Sequence, residues 1–182
     1  MKRIYLLLVL FLTVLLSVAC GASSAQSDLK VYHAKRGGLV NPNFATYSFE
    51  YPSNWKIQEE ANHIAFASDA NLLKSPPEKL QSGEIIAGLS MNKNMSPEDM
   101  IDSYTTSHTN IQFDPMVSMI VNGHKAAYQS GTDSETGDQT LIVATDIGDN
   151  LRAFLTARLA AGELDQWKET FFRIAQSLQV EK

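Results

Sequence analysis

The sequence predicts an α/β domain in which short antiparallel strands, joined by hairpins, pack against two helices. Three observations carry this prediction. Tyr47, Phe49 and Tyr51 alternate with Ser48 and Glu50, the period of two that marks a strand with one buried face. Asn122-Gly123, Glu135-Thr136-Gly137-Asp138 and Gly148-Asp149-Asn150 separate apolar runs and supply the residues that tight turns require. Leu164, Trp167, Phe171, Ile174 and Leu178 recur at helical spacing and form one apolar stripe.

The elements follow in order. After the first strand, Pro52-Ser53-Asn54 interrupts the pattern, and Trp55-Lys56-Ile57 begins a second strand whose hairpin partner is 63–68. Ser75-Pro76-Pro77 punctuates a loop, and 84–92 reads as a buried strand. Ser96-Pro97-Glu98-Asp99 is a helix start: a capping serine, proline at the first helical position, then acids near the positive end of the helix dipole. That helix should run to about Thr106. The three turns then separate strands near 116–121, 124–132, 139–146 and 151–158, and the closing helix covers 163–177. Its stripe reads as core. A cofactor-stacking role for Trp167 or Phe171 is the alternative, and helical spacing favours packing.

The N-terminus reads as targeting. Lys2 and Arg3 precede an apolar run over 4–16, followed by Ser17-Val18-Ala19, the order of a secretory signal peptide. At about 1.5 Å per residue, a helix over 4–18 is too short for a hydrocarbon core of roughly 30 Å. Ala19-Cys20-Gly21 at the end of this run resembles a bacterial lipobox, in which the cysteine is acylated and becomes the mature N-terminus. Ser17 departs from that pattern, where leucine is usual. Ser17-Val18-Ala19 and Ser23-Ser24-Ala25 would also suit an ordinary signal peptidase. Cys20, the single cysteine of the chain, is therefore the candidate lipid attachment site. A catalytic thiol needs a histidine or a positive surrounding, and the flanking small polar residues provide neither.

The expected organisation is a signal peptide over 1–19, a lipidated N-terminus and tether over 20–43, and a domain over 44–182. The tether assignment rests on residues 21–43 being poor in large apolar side chains; Leu29, Val31 and Tyr32 could form a short strand or docking segment within it. The 163 residues after residue 19 suffice for one domain with a core of its own. Removing Lys2 and Arg3 lowers the basic count from 15 to 13 against 20 acids, a formal charge of −7. That sign disfavours nucleic acid and a polybasic grip on anionic lipid. Membrane affinity must then come from palmitate-type acyl chains, at about 0.8 kcal/mol per buried methylene. With one cysteine no internal disulfide can form, so stability must come from packing.

Phe49-x-Tyr51-Pro52-x-x-Trp55, Asn122-Gly123-x-x-Ala126 and the terminal helix closing on Ser177-Leu178 resemble the PsbP-like superfamily, over about residues 44 to 180. That family takes its name from an extrinsic photosystem II subunit, and its fold, also called the Mog fold, occurs in a Ran-GTPase-binding protein. The resemblance implies an α-β-α sandwich with a central antiparallel sheet of about six strands. It implies no catalytic residues, and many bacterial members are small exported or lipid-anchored domains.

Candidates for chemistry are few. His33, His63, His108 and His124 are scattered, without metal-ligand spacing such as HExxH, and read as surface or loop-end residues. The 131–138 loop places Asp133, Glu135 and Asp138 within six residues, but lacks the spacing and terminal bidentate glutamate of a tight calcium loop, so a solvated turn is expected. Asp146 and Asp149 flank a turn and are expected to be wet. No GxSxG elbow and no glycine-rich phosphate loop occurs. The sequence thus predicts an exported envelope lipoprotein of the bacterial cell membrane or outer membrane, held by its lipid anchor. Its domain is expected to bind a partner protein or small ligand without catalysing a reaction or using a cofactor or metal. The alternatives are an exported hydrolase with a site assembled from distant polar residues, and a metal-responsive module using the 131–138 loop.

Overall fold

A computed structural model describes residues 28–35, 37 and 46–181. Cys20, the signal segment and most of the expected tether lie outside the described residues. The strands are β1 (Leu29–Ala34), β2 (Tyr47–Pro52), β3 (Lys56–Glu60), β4 (His63–Ala67), β5 (Ile85–Asn92), β6 (Ile111–Phe113), β7 (Val117–Val121), β8 (His124–Asp133), β9 (Gln139–Gly148), β10 (Leu151–Leu159) and β11 (Gln179–Val180). The helices are α1 (Ala70–Lys74), α2 (Pro97–Ser107) and α3 (Leu164–Ser177).

β3 to β10 form one antiparallel sheet of eight strands, in the order β3-β4-β5-β10-β9-β8-β6, with β7 also on β8. β1, β2 and β11 form a second sheet of three. This corrects the expectation of a single sheet of about six strands. Two local causes account for it. Asp114-Pro115-Met116 splits the outer strand into β6 and β7, each pairing separately with the ten-residue β8. β2 ends at Pro52, where the turn closed by the Trp55 N–H on the Pro52 carbonyl (3.0 Å) redirects the chain, so β2 leaves the main sheet. β1, the short strand considered at Leu29–Tyr32, pairs with β2 and buries Ala34.

The hairpins are where their turn residues lie. Asn122 and Gly123 have φ of 51° and 80°, and Asp149 and Asn150 have 51° and 56°, so both two-residue loops place two consecutive residues in the left-handed region that type I′ turns require. α2 begins with the capping box read from Ser96: its hydroxyl accepts from the Asp99 N–H at 3.1 Å. Gly131 on β8 sits where β6 crosses; a Cβ there would lie 2.7 Å from Ile111 and Phe113 side-chain carbons.

Alternation along the strands sends two sets of side chains to opposite faces. Leu141 and Val143 on β9, and Ala153, Leu155, Ala157 and Leu159 on β10, join the main core with Phe171, Ile174 and Leu178 of the α3 stripe. Tyr47 and Phe49 of β2 enter the same core, so the layer over this face is α3 together with the small sheet. Ile142 and Ala144 face the other way and pack against Met100 and Ile101 of α2, with Ala127, Phe154 and Tyr104. A third cluster, Ala67, Leu72, Leu80 and Ala160, holds α1 and the 75–80 loop.

Candidate functional site

The face under α2 is not uniformly apolar. Over β9 and β8 it presents Ile142, Ala144 and Ala127, which α2 covers. Over β4, β5 and β10 the same face presents Ala65, Gly88 and Thr156, too small to fill the space beside the helix. An open groove of about 580 Å³ results, floored by these residues and walled by Tyr104 and His108 of the α2 end. It continues into a hollow of about 410 Å³ that shares His63, Gly88, Tyr104 and Thr156 and adds Phe154 and Asn62. This site was not legible in the sequence. The available signal was an isolated glycine inside an apolar strand, Gly88 in 84–92, which marks a place where side-chain bulk is withheld.

The structure brings His63 and His108, far apart in sequence, to this one groove, together with Asp133, Glu135 and Asp138. Most of these groups have protein partners. Asp138, expected to be solvated, is instead buried at 1 % exposure. It accepts from Arg158 Nε at 2.8 Å and pairs with Nη2 at 2.6 Å, and it also receives the Leu80 N–H. The reason is topological: Arg158 on β10 lies beside the end of β9 and reaches the carbonyls of Pro77 and Glu78, so one carboxylate–guanidinium pair ties the 75–80 loop to the sheet. Asp133 is turned into its own hairpin. The Thr136 and Glu135 N–H groups each donate to it at 2.9 Å and Asn110 Nδ2 at 2.6 Å, and the backbone donors hold its pKa below the ordinary value. Glu135 is exposed.

His108 stacks on Tyr104 with ring centroids 3.8 Å apart and planes 11° apart. Its Nδ1 lies 2.8 Å from the Tyr104 carbonyl, an acceptor only, so Nδ1 donates there and the ring is held in place. Burial pushes the Tyr104 hydroxyl pKa up, which keeps it a neutral donor. His63 Nε2 lies 3.3 Å from Glu60 Oε2. Among the described residues, no group of three or more His, Cys, Asp or Glu side chains is gathered to hold a metal ion. The groove thus offers a guest a space beside the Tyr104–His108 stack, with Thr156 and His63 among its polar lining.

The other sequence candidates lie elsewhere. His33 Nδ1 meets Glu181 Oε1 at 2.5 Å beside β11, and that hydrogen bond lowers the Glu181 pKa. Asp146 and Asp149 line a hollow of about 470 Å³ at the opposite end of the sheet, with His124; Asp146 accepts from the Gly148 N–H at 3.0 Å, and Asp149 sits in the turn. Trp167 and Phe171 pack on Trp55 at centroid distances of 6.1 and 5.6 Å, as core. Glu163, not singled out from the sequence, accepts from Ser82, Gly83 and Trp167 and anchors the start of α3.

No family model matches the chain, and no curated protein matches it in sequence. Solved structures do match its architecture. The chain is similar to cyanobacterial PsbP (CyanoP) from Synechocystis sp. PCC 6803 at 13% identity and a TM-score of 0.55, over 90% of this chain and 98% of that one. The fold is PsbP-like. A second likeness is to LpqN, described as involved in cell envelope biogenesis of Mycobacterium tuberculosis, at 14% identity and a TM-score of 0.52, over 87% of this chain and 94% of that one. Among the described residues no helix is long and apolar enough to cross a membrane.

Proposed function

We propose that this PsbP-like domain is a non-catalytic module of the bacterial envelope, exported and held by a lipid on Cys20, that binds a small ligand or partner segment in the groove beside α2. The observation that carries the reading is the state of the groove's polar groups. Asp133 and Asp138 are committed to the hairpin and to Arg158, and His63 and His108 each have a protein partner. The floor of Ala65, Gly88 and Thr156 meanwhile leaves room for a guest. Arg158 spends its guanidinium on Asp138 and two carbonyls, so the groove favours a neutral or cationic guest over an anion. The signal-like N-terminus and the likeness to an envelope-biogenesis protein support the location.

The test is affinity capture from detergent-solubilised envelopes with the intact lipidated protein, comparing wild type with Gly88→Val. A Cβ at Gly88 meets Thr156 Oγ1 at an ordinary 3.5 Å, so the strand accepts a side chain there and the valine methyls take up space on the floor; equal melting temperatures of wild type and variant confirm that the fold is kept. A guest recovered by wild type and lost by the variant supports the reading. Hydrolysis of an ester or peptide panel that His63→Ala or His108→Ala abolishes would overturn it in favour of an exported hydrolase. For the anchor, Cys20→Ser should release the protein or leave a membrane-bound precursor. Mass spectrometry of an unmodified N-terminus downstream of Cys20 in wild type would refute that part alone.

A further inference from the structure

The two edges of the eight-stranded sheet are built differently. β3, at one edge, carries Lys56, Glu59 and Glu60, the kind of charges that discourage another strand from pairing there. The opposite edge is β6 and β7, and from Pro115 to Gly123 it contains no charged residue. Val117 and Ile120 on β7 are 42% and 65% exposed, two of the three large apolar side chains exposed among the described residues. An uncharged, β-branched edge left open is the arrangement that sheets ordinarily guard against.

The hairpin settles which backbone groups are free. A two-residue turn at Asn122-Gly123 makes Val121 and His124 the hydrogen-bonded pair that closes it, so Val121, Met119 and Val117 direct their N–H and C=O groups at β8. Ser118 and Ile120 direct theirs outward, and among the described residues no strand pairs with that side of β7.

We propose that β7 is a self-association surface on which the β7 of a second copy of this chain adds antiparallel, joining the two eight-stranded sheets into one. The register follows from the free groups. With the two-fold axis at Met119, Ser118 pairs with Ile120 of the second copy and Ile120 with its Ser118. Four backbone hydrogen bonds then use every outward group on both strands. Met119 faces its own copy as a non-hydrogen-bonded pair. A second copy fits better than a charged strand because nothing on this edge would pair with a charge. The nearest cation, Lys125 opposite Ile120 on β8, is separated from its copy by three strand spacings, about 14 Å. That exceeds the screening length of about 8 Å at physiological salt. A five-residue edge buries less than a standard interface, so the association is reversible. The inference stands apart from the groove reading, since β7 does not line the groove.

The test uses the full chain in detergent micelles. Sedimentation equilibrium should show a reversible dimer, which Ile120→Lys weakens at least about tenfold with the melting temperature unchanged, because Ile120 is mostly exposed. Oxidation should cross-link Met119→Cys between copies, since facing Cα atoms about 4.5 Å apart suit a disulfide. Lys125→Cys should cross-link no more than wild type, whose single cysteine is Cys20. A monomer at all concentrations, a dimer indifferent to Ile120→Lys, or equal cross-linking of Met119→Cys and Lys125→Cys would each overturn the proposal.

Discussion

Replacing Phe171 by alanine tests the whole docking of α3. The ring is fully buried at 0% exposure and packs against Trp55 at 5.6 Å, in the cluster that joins the helix to β9, β10 and β2. Deleting a buried phenylalanine side chain costs about 3–5 kcal/mol through lost transfer energy and the cavity left behind. Close packing on three sides, from the sheet, Trp55 and the rest of the helix stripe, leaves little room for collapse, so the upper half of that range is expected. Against a total stability of about 5–15 kcal/mol, the variant keeps a folded state but a marginal one. At about 2–4 °C per kcal/mol for a domain of this size, that upper half, about 4–5 kcal/mol, should lower the melting temperature by roughly 8–20 °C. Urea melts of wild type and variant, with slopes compared to confirm a common unfolded state, give the number directly. A loss below about 1 kcal/mol would mean that α3 does not pack as described and would refute the argument from its apolar stripe.

Three further outcomes follow from the described contacts. Asp138→Ala strands Arg158 and the Leu80 N–H, and should cost about 2–4 kcal/mol in denaturant melts; Asp138→Leu combined with Arg158→Met should recover much of it, and failure to do so would assign the loss to packing. Millimolar calcium should leave the melting temperature where chelator leaves it. A bound ion at a hundredfold excess over Kd would add about 2.7 kcal/mol, but Asp138 is paired with Arg158 and Asp133 with its turn; a rise of several degrees that Asp133→Asn abolishes would restore the metal reading. Burial, then the charge of Glu59, push the Tyr47 hydroxyl pKa from 10.0 up to about 12. The folded state thus holds that proton more tightly than the unfolded chain. Its contribution, about 2–3 kcal/mol by linkage, is complete below pH 10 and lost as pH rises from 10 to 12. Tyr47→Phe should flatten the alkaline limb of a stability–pH curve, and an unchanged limb would refute the assignment.

What the sequence determined by itself is local. Period-two alternation, the Asn122-Gly123 and Asp149-Asn150 turns, the Ser96 capping box and the α3 stripe placed eight of the eleven strands among the described residues and the two longer helices there, because each is set by residues within a few positions of one another. The short elements β6, β11 and α1 carry too few residues for a pattern to show; they exist because β8, β2 and β4 offer them a surface. Partition between sheets was likewise a tertiary decision. β2 has the alternation of a main-sheet strand, and only the redirection after Pro52 and the room beside α3 put it in the smaller sheet. The groove belongs to the same class. Ala65, Gly88 and Thr156 sit on three strands 23 and 68 residues apart, and nothing local links them; antiparallel register aligns them, and α2 stops short of covering them. Asp138 shows the limit most directly. In sequence it is one acid of a polar turn, and only the return of β10 twenty residues later brings the Arg158 guanidinium that makes burying its charge affordable.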